Sequence, residues 1–164
     1  MIVLGVDPGS HVTGYGVVED GAGGKPLARA WGAIRAPRHA PVAERLKKIA
    51  GGLRAVISAH GPDTLAIEES FFAANPQTAL TLGMARGAVM LVAAEAGLAT
   101  REYAALLVKK TVAGYGRADK EQVRLMVRHL LALKENPTPY DASDALAIAV
   151  TCLTMTRAER RMAR

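Results

Sequence analysis

The sequence predicts a layered α/β domain, and three observations carry that expectation. Three strand-like runs open the chain with only turns between them, which reads as an antiparallel meander. Beyond them, helical and strand periodicities alternate, the pattern of strands joined by helices that cover a sheet. The chain has 164 residues, half of them hydrophobic, which suits one core and leaves no room for two of ordinary size.

The elements follow in order. Ile2 to Asp7 is an apolar run ending in a carboxylate, and Asp7-Pro8-Gly9-Ser10 is a turn in which proline fixes φ. Gly14 to Val18 returns as the second strand, Gly21 to Lys25 is a loose glycine-rich tip, and Leu27 to Ile34 is the third strand. From Pro41 to Ala59, Val42, Leu46, Ile49, Leu53, Val56 and Ile57 fall on one helical face, and Gly61-Pro62 ends the helix. Thr64 to Glu68 is a fourth strand, again closing on a carboxylate. Asn75-Pro76 supplies a cap and a first-turn proline for a helix that Gly97 stops. Leu98 to Tyr103 is the fifth strand, and Ala104 to Val112 a short helix. Asp119-x-x-Gln122 has the form of a capping box for a helix over Lys120 to Leu133. Asp141 to about Arg157 is the last helix. One domain over residues 1–156 is expected, with a basic tail, 157–164, that frays into solvent or touches phosphate.

Composition excludes several classes. A single cysteine, Cys152, rules out a disulfide scaffold, and it reads as a small buried hydrophobe. No run of about 18 uncharged apolar residues exists to span a membrane, and Asp7 interrupts the apolar amino terminus before it can serve as a signal peptide. The expected compartment is the cytoplasm. Lys plus Arg is 21 against 15 Asp plus Glu, a net charge of +6 that favours polyanionic partners. Eight basic and three acidic residues lie between Arg101 and Lys134. The histidines have no metal-ligand spacing, and only His11 falls near a candidate site. Trp31 reads as packing.

The chemistry resides in carboxylates. Asp7 and Glu68 each sit where an apolar strand ends, and Asp141 and Asp144, three apart at a helix start, share a face. Four such groups brought together repel one another unless cations occupy the site. All-oxygen ligands select hard ions, Mg²⁺ or Mn²⁺. Taken singly, Asp141 reads as a helix cap and Asp7 as a turn cap. Glu69 should point to the opposite face from Glu68, and Lys110 and Lys134 read as solvated cations.

Gly5-Val6-Asp7-Pro8-Gly9-Ser10 followed by Thr13-Gly14-Tyr15-Gly16-Val17 resembles the opening of the RuvC family of Holliday-junction resolvases. Ala66-Ile67-Glu68 with Phe71, and Leu82-Gly83-x-Ala85-Arg86-Gly87, resemble a second block of that family. Glu102-Tyr103-Ala104, Val108-Lys109-x-Thr111 and Asp119-Lys120-x-Gln122 resemble a third, and Asp141-Ala142-x-Asp144-Ala145-Leu146 a fourth. The blocks run in order over nearly the whole chain. Asp-Pro-Gly alone is shared with actin-like ATPases and sugar kinases, but those need a second such domain, for which 164 residues leave no room. A non-catalytic DNA-binding subunit is the other alternative, and retention of all four carboxylates argues against it.

The resemblance implies an RNase H-like fold with a five-stranded mixed sheet. It implies a homodimer that cuts four-way DNA junctions by paired, metal-dependent nicks in homologous recombination and repair, leaving 5′ phosphates. Two Mg²⁺ ions per subunit are implied, with Mn²⁺ as a substitute. Asp7 would bridge them, and Glu68, Asp141 and Asp144 would hold them from the sides; some family members carry His where Asp141 stands. Lys109 and Lys120 match lysines beside the scissile DNA. Phe71 matches an aromatic at the junction core. The RuvA–RuvB branch-migration complex is the implied protein partner, and no membrane is involved.

Overall fold

The computed structural model describes residues 1–69 and 75–163. Strand β1 (Ile2–Asp7) pairs antiparallel with β2 (Val12–Asp20), which pairs antiparallel with β3 (Pro26–Arg35). Helix α1 (Val42–His60) leads to β4 (Thr64–Glu69), parallel to β1. Helix α2 (Pro76–Glu95) leads to β5 (Ala99–Ala104), parallel to β4. The sheet order is β3-β2-β1-β4-β5, a meander extended by two crossovers. Three helices complete the chain: α3 (Ala105–Ala113), α4 (Lys120–Leu130) and α5 (Tyr140–Met162).

The two faces of the sheet carry separate cores. Leu4, Val6, Val17, Leu65 and Ile67 pack with Ile49 and Leu53 of α1 and Val89 and Val92 of α2. Val3, Val18, Ala66 and Tyr103 pack with α3, α4 and the buried stretch from Leu146 to Leu153 of α5. Because side chains alternate along a strand, Asp7 shares the α5 face with Val3, and Glu68 shares it with Ala66. Glu69 falls on the other face, as its spacing predicts.

Helix α5 lies unusually close to the sheet. A Cβ on Gly5 would come within 2.1 Å of the Ala145 carbonyl oxygen, one on Gly14 within 1.9 Å of the Asp141 carbonyl oxygen, and one on Gly16 within 2.8 Å of Leu146. These three glycines form the floor on which the amino-terminal half of α5 rests.

Most element boundaries agree with the sequence expectation. Asn75 caps α2 by accepting from the Thr78 amide at 2.9 Å, and the Asp119–Gln122 capping box is complete. Cys152 is fully buried. Two helix ends differ. Helix α4 stops at Leu130 rather than Leu133, because Ala132 takes a left-handed conformation and the Leu133 amide bonds back to the Arg128 carbonyl at 2.9 Å. Helix α5 does not fray at Arg157 but runs to Met162, with Arg157 ion-paired to Asp20 at 2.5 Å. Trp31 is only partly packed, 39 % exposed beside the turn at Leu131 to Leu133. Helix α2 is long and apolar enough, by length and composition, to cross a membrane. Arg86 interrupts its uncharged run and is ion-paired to Glu102 of β5 at 2.6 Å.

The glycine floor makes a paired stability prediction. Gly5→Ala forces α5 outward and lowers unfolding free energy by about 3 kcal/mol or more. Gly51→Ala, in the middle of α1 with nothing within 4 Å of the new methyl, raises it by about 0.5–1 kcal/mol. Urea denaturation of both variants measures the contrast.

Candidate active site

The carboxyl ends of the neighbouring interior strands β1 and β4 meet the start of α5. There a pocket of about 260 Å³ is lined by Asp7, Glu68, Asp144, Lys109 and Lys120, with Ala105, Val108, Val123 and Ala147 as its apolar wall. Each polar group comes from a different element. Asp7 closes β1, Glu68 lies near the end of β4, Lys109 is on α3, Lys120 opens α4 and Asp144 lies in the first turns of α5. Lys120 Nζ donates to Asp144 Oδ2 at 3.0 Å.

Asp141 lies one turn before Asp144, over Gly14, and outside the pocket lining. It is close enough to Asp7 to raise that group's proton affinity. It makes no cap, since α5 opens after Pro139 with no side-chain capping bond. Phe71 lies outside the described residues. Lys110 carries no ion pair among the described residues.

The electrostatics are those of a frustrated acid cluster. Burial, followed by repulsion from Asp144, Glu68 and Asp141, pushes the Asp7 carboxyl up to about 7, against a smaller pull from Lys120. Glu68 is raised by burial and by Asp144, with Lys120 and Lys109 opposing. The Lys120 ammonium is held more firmly charged, chiefly by its bond to Asp144. The carboxylates ring the pocket without closing on one point. Among the described residues, no three acidic, His or Cys side chains stand as a ready-made chelate. The donor chemistry nevertheless fits a hard cation: every anionic group is a carboxylate, and two lysines alone leave the cluster short of positive charge.

Sequence spacing missed two arginines next to these ends. Arg45 of α1, 9 % exposed, donates to the Ser10 carbonyl at 3.2 Å and lies 3.2 Å from both ring nitrogens of His11. It thereby braces the loop that follows Asp7. Arg86 of α2 donates to the backbone carbonyl of Glu68 and to Glu102. Neither contact has a local signal, because the partners lie 35 and 18 residues away.

Comparisons with known proteins agree with the geometry. Residues 3–152 match the family model of the crossover junction endodeoxyribonuclease RuvC. A protein of that name from Heliobacterium modesticaldum is 50 % identical over 152 residues, covering 93 % of each chain. One from Pseudomonas putida is 52 % identical over 156 residues, covering 95 % of this chain and 87 % of its own. The solved Thermus thermophilus RuvC in complex with a Holliday junction substrate superposes with a TM-score of 0.91 at 38 % identity, covering 97 % of this chain and 96 % of that one. The yeast mitochondrial Holliday junction resolvase, 12 % identical with a TM-score of 0.66 over 98 % of this chain and 83 % of its own, shares the fold. That fold is RNase H-like, as the sequence resemblance implies.

The raised Asp7 carboxyl dictates how the metal-free protein responds to pH. Its folded value of about 7 stands above the ordinary 3.8, so between those values the native state keeps a proton that the unfolded chain has released. Stability in EDTA therefore falls as pH rises from about 4 to about 7, by up to about 1.4 kcal/mol per unit of difference. Glu68 adds in the same direction. Melting temperatures in EDTA at pH 5 and pH 8 measure the slope, and Asp7→Asn flattens it. A slope unchanged in Asp7→Asn contradicts the assignment.

Proposed function

The chain belongs to the crossover junction endodeoxyribonuclease RuvC family, and from that premise we propose that it resolves four-way DNA junctions by paired nicks made with Asp7, Glu68, Asp141, Asp144, Lys109 and Lys120. The observation that carries the reading is the pocket in which three of these carboxylates and both lysines meet. Membership implies dependence on a divalent metal ion. For this chain we propose Mg²⁺, two ions per subunit, replaceable by Mn²⁺, which Asp7, Glu68, Asp141 and Asp144 would hold. Bound there, such ions supply Lewis acidity and an activated water for attack on a phosphodiester.

The chain's own groups do the rest. Asp7, Glu68, Asp141 and Asp144 would hold the ions in their deprotonated form, and the ions' positive charge would offset the repulsion that raises Asp7. Lys120 exchanges Asp144 for a phosphate oxygen, and Lys109 faces the same pocket from α3. Both lysines neutralise the phosphate and stabilise charge that develops on it. The apolar wall limits water access beside the acids. The product is a nick with a 5′ phosphate. Phe71 follows Glu68 by three residues and is proposed to contact bases at the junction core. RuvA–RuvB is the proposed motor partner, and the cytoplasm the proposed compartment.

Two matched nicks require two sites, and each chain supplies one. Helix α2 offers the surface for a second copy. Leu80, Met84, Gly87, Leu91 and Ala94 recur at helical spacing along its outer face, with Leu80 55 % and Leu91 58 % exposed. Gly83 and Gly87 have open space over them, so a symmetry-related helix can approach closely.

A labelled synthetic junction incubated with and without Mg²⁺ tests the reading: symmetric nicks only with metal support it, and a shift without cutting refutes it. Asp7→Asn keeps the shape of the side chain and removes one charge. It should reduce single-turnover cleavage by about three orders of magnitude while junction affinity in EDTA holds or tightens. Cleavage within a fewfold of wild type would remove Asp7 from the site. Leu91→Glu should sediment as a monomer at micromolar concentration, keep the far-ultraviolet circular dichroism of a folded chain, since the side chain is exposed in the single chain, and lose paired cutting. A stable dimer in that variant rejects α2 as the interface.

A further inference from the structure

We propose that Arg86 is a positioning residue for Glu68, fixing that carboxylate's backbone from behind the sheet. The inference rests on the reading of Glu68 as a metal ligand. Helix α2 packs on the sheet face opposite α5. From there the Arg86 side chain, 17 % exposed, spreads its two terminal nitrogens: Nη1 donates to the Glu68 carbonyl, and Nη2 to Glu102 Oε2 at 2.6 Å. Glu102 stands opposite Ile67 in the β4–β5 ladder, one step before Glu68. One guanidinium thus ties helix α2 to the ends of two neighbouring strands.

The end of β4 is held in the sheet from one side only, by β5, which pairs with it through Glu68–Tyr103 and Glu69–Ala104. The β1–β4 ladder ends at the Val6–Ile67 pair, so Glu68 lies beyond the last residue of β4 that β1 holds. Its side chain must nonetheless emerge on the α5 face against repulsion from Asp144. The second terminal nitrogen of a planar guanidinium fixes direction as well as distance, which an ammonium cannot do. Groups that orient metal ligands in this way typically change metal affinity by 10–100-fold when removed. A merely structural ion pair would change melting temperature and leave metal affinity alone.

The test reads Mn²⁺ binding by electron paramagnetic resonance on the full chain without DNA, alongside melting and junction affinity in EDTA. R86L should weaken Mn²⁺ binding about tenfold or more and leave junction affinity in EDTA within about twofold. R86K, which reaches one acceptor at a time, should recover part of the loss, and E102Q, which keeps the bond to the Glu68 carbonyl, should lose only a fewfold. Wild-type Mn²⁺ affinity in a folded R86L overturns the inference. Should R86L fail to fold, wild-type affinity in both R86K and E102Q overturns it equally. E68Q separates the two levels: if it weakens Mn²⁺ binding while the Arg86 variants do not, only the positioning role falls. If E68Q binds Mn²⁺ like wild type, the metal reading of Glu68 falls and this inference with it.

Discussion

The arrangement depends on how closely α5 lies against β1 and β2. Gly5, Gly14 and Gly16 leave no side chain between strand backbone and helix, and the carbonyls of Ala145 and Asp141 occupy the space where Cβ atoms would be. A methyl at any of these positions lifts the start of α5 and carries Asp141 and Asp144 away from Asp7. The same contact removes water from around Asp7. Burial is the largest cause of its raised proton affinity, ahead of its carboxylate neighbours. The packing that assembles the acid cluster is therefore also the largest cause of the raised proton affinity at Asp7.

Much of this was legible in the sequence, because strand parity and helical spacing are local. Apolar runs ending in Asp7 and Glu68 placed both acids at strand ends, and the interval between Asp141 and Asp144 placed both on one side of a helix. The meander, the two crossovers and the caps at Asn75 and Asp119 follow from short-range rules that the structure obeys. What escaped was set by tertiary contact. Helix α5 outlasts Arg157 because that guanidinium finds Asp20 and Gly24, more than a hundred residues earlier. Helix α4 ends early because Ala132 takes a left-handed turn that alanine does not advertise. Arg86 stood in a family-like block of α2, but its acceptors on β4 and β5 lie 18 and 16 residues away and carry no local signal.

Helix α2 serves both faces it presents. Its inner side, through Ala85, Val89, Val92 and Ala93, is built into the core beneath β1 and β4, and Arg86 reaches from the same helix to the end of β4. Its outer side is a stripe of leucine, methionine and glycine left bare among the described residues. The bare stripe proposed to receive a second copy and the contact at the end of a carboxylate-bearing strand thus share one rigid element twenty residues long. Rigid helices transmit position far better than loops, so seating of α2 and placement of Glu68 belong to the same packing arrangement.

An acid cluster proposed to receive DNA faces an electrostatic contradiction, since carboxylates and phosphates repel. Part of the resolution is the net charge of +6, which attracts the polyanion from a distance. That attraction is screened within about 10 Å at ordinary ionic strength and says nothing about the last few ångströms. There the remedy is local. Lys109 and Lys120 stand in the pocket wall beside the acids, and Lys120 is already bonded to Asp144. An ammonium on a flexible stem can leave a carboxylate for a phosphate oxygen with little reorganisation, whereas an arginine locked in a bidentate fork could not. The residue types divide accordingly: arginines brace backbone at Ser10 and Glu68, and the two lysines line the pocket beside the acids.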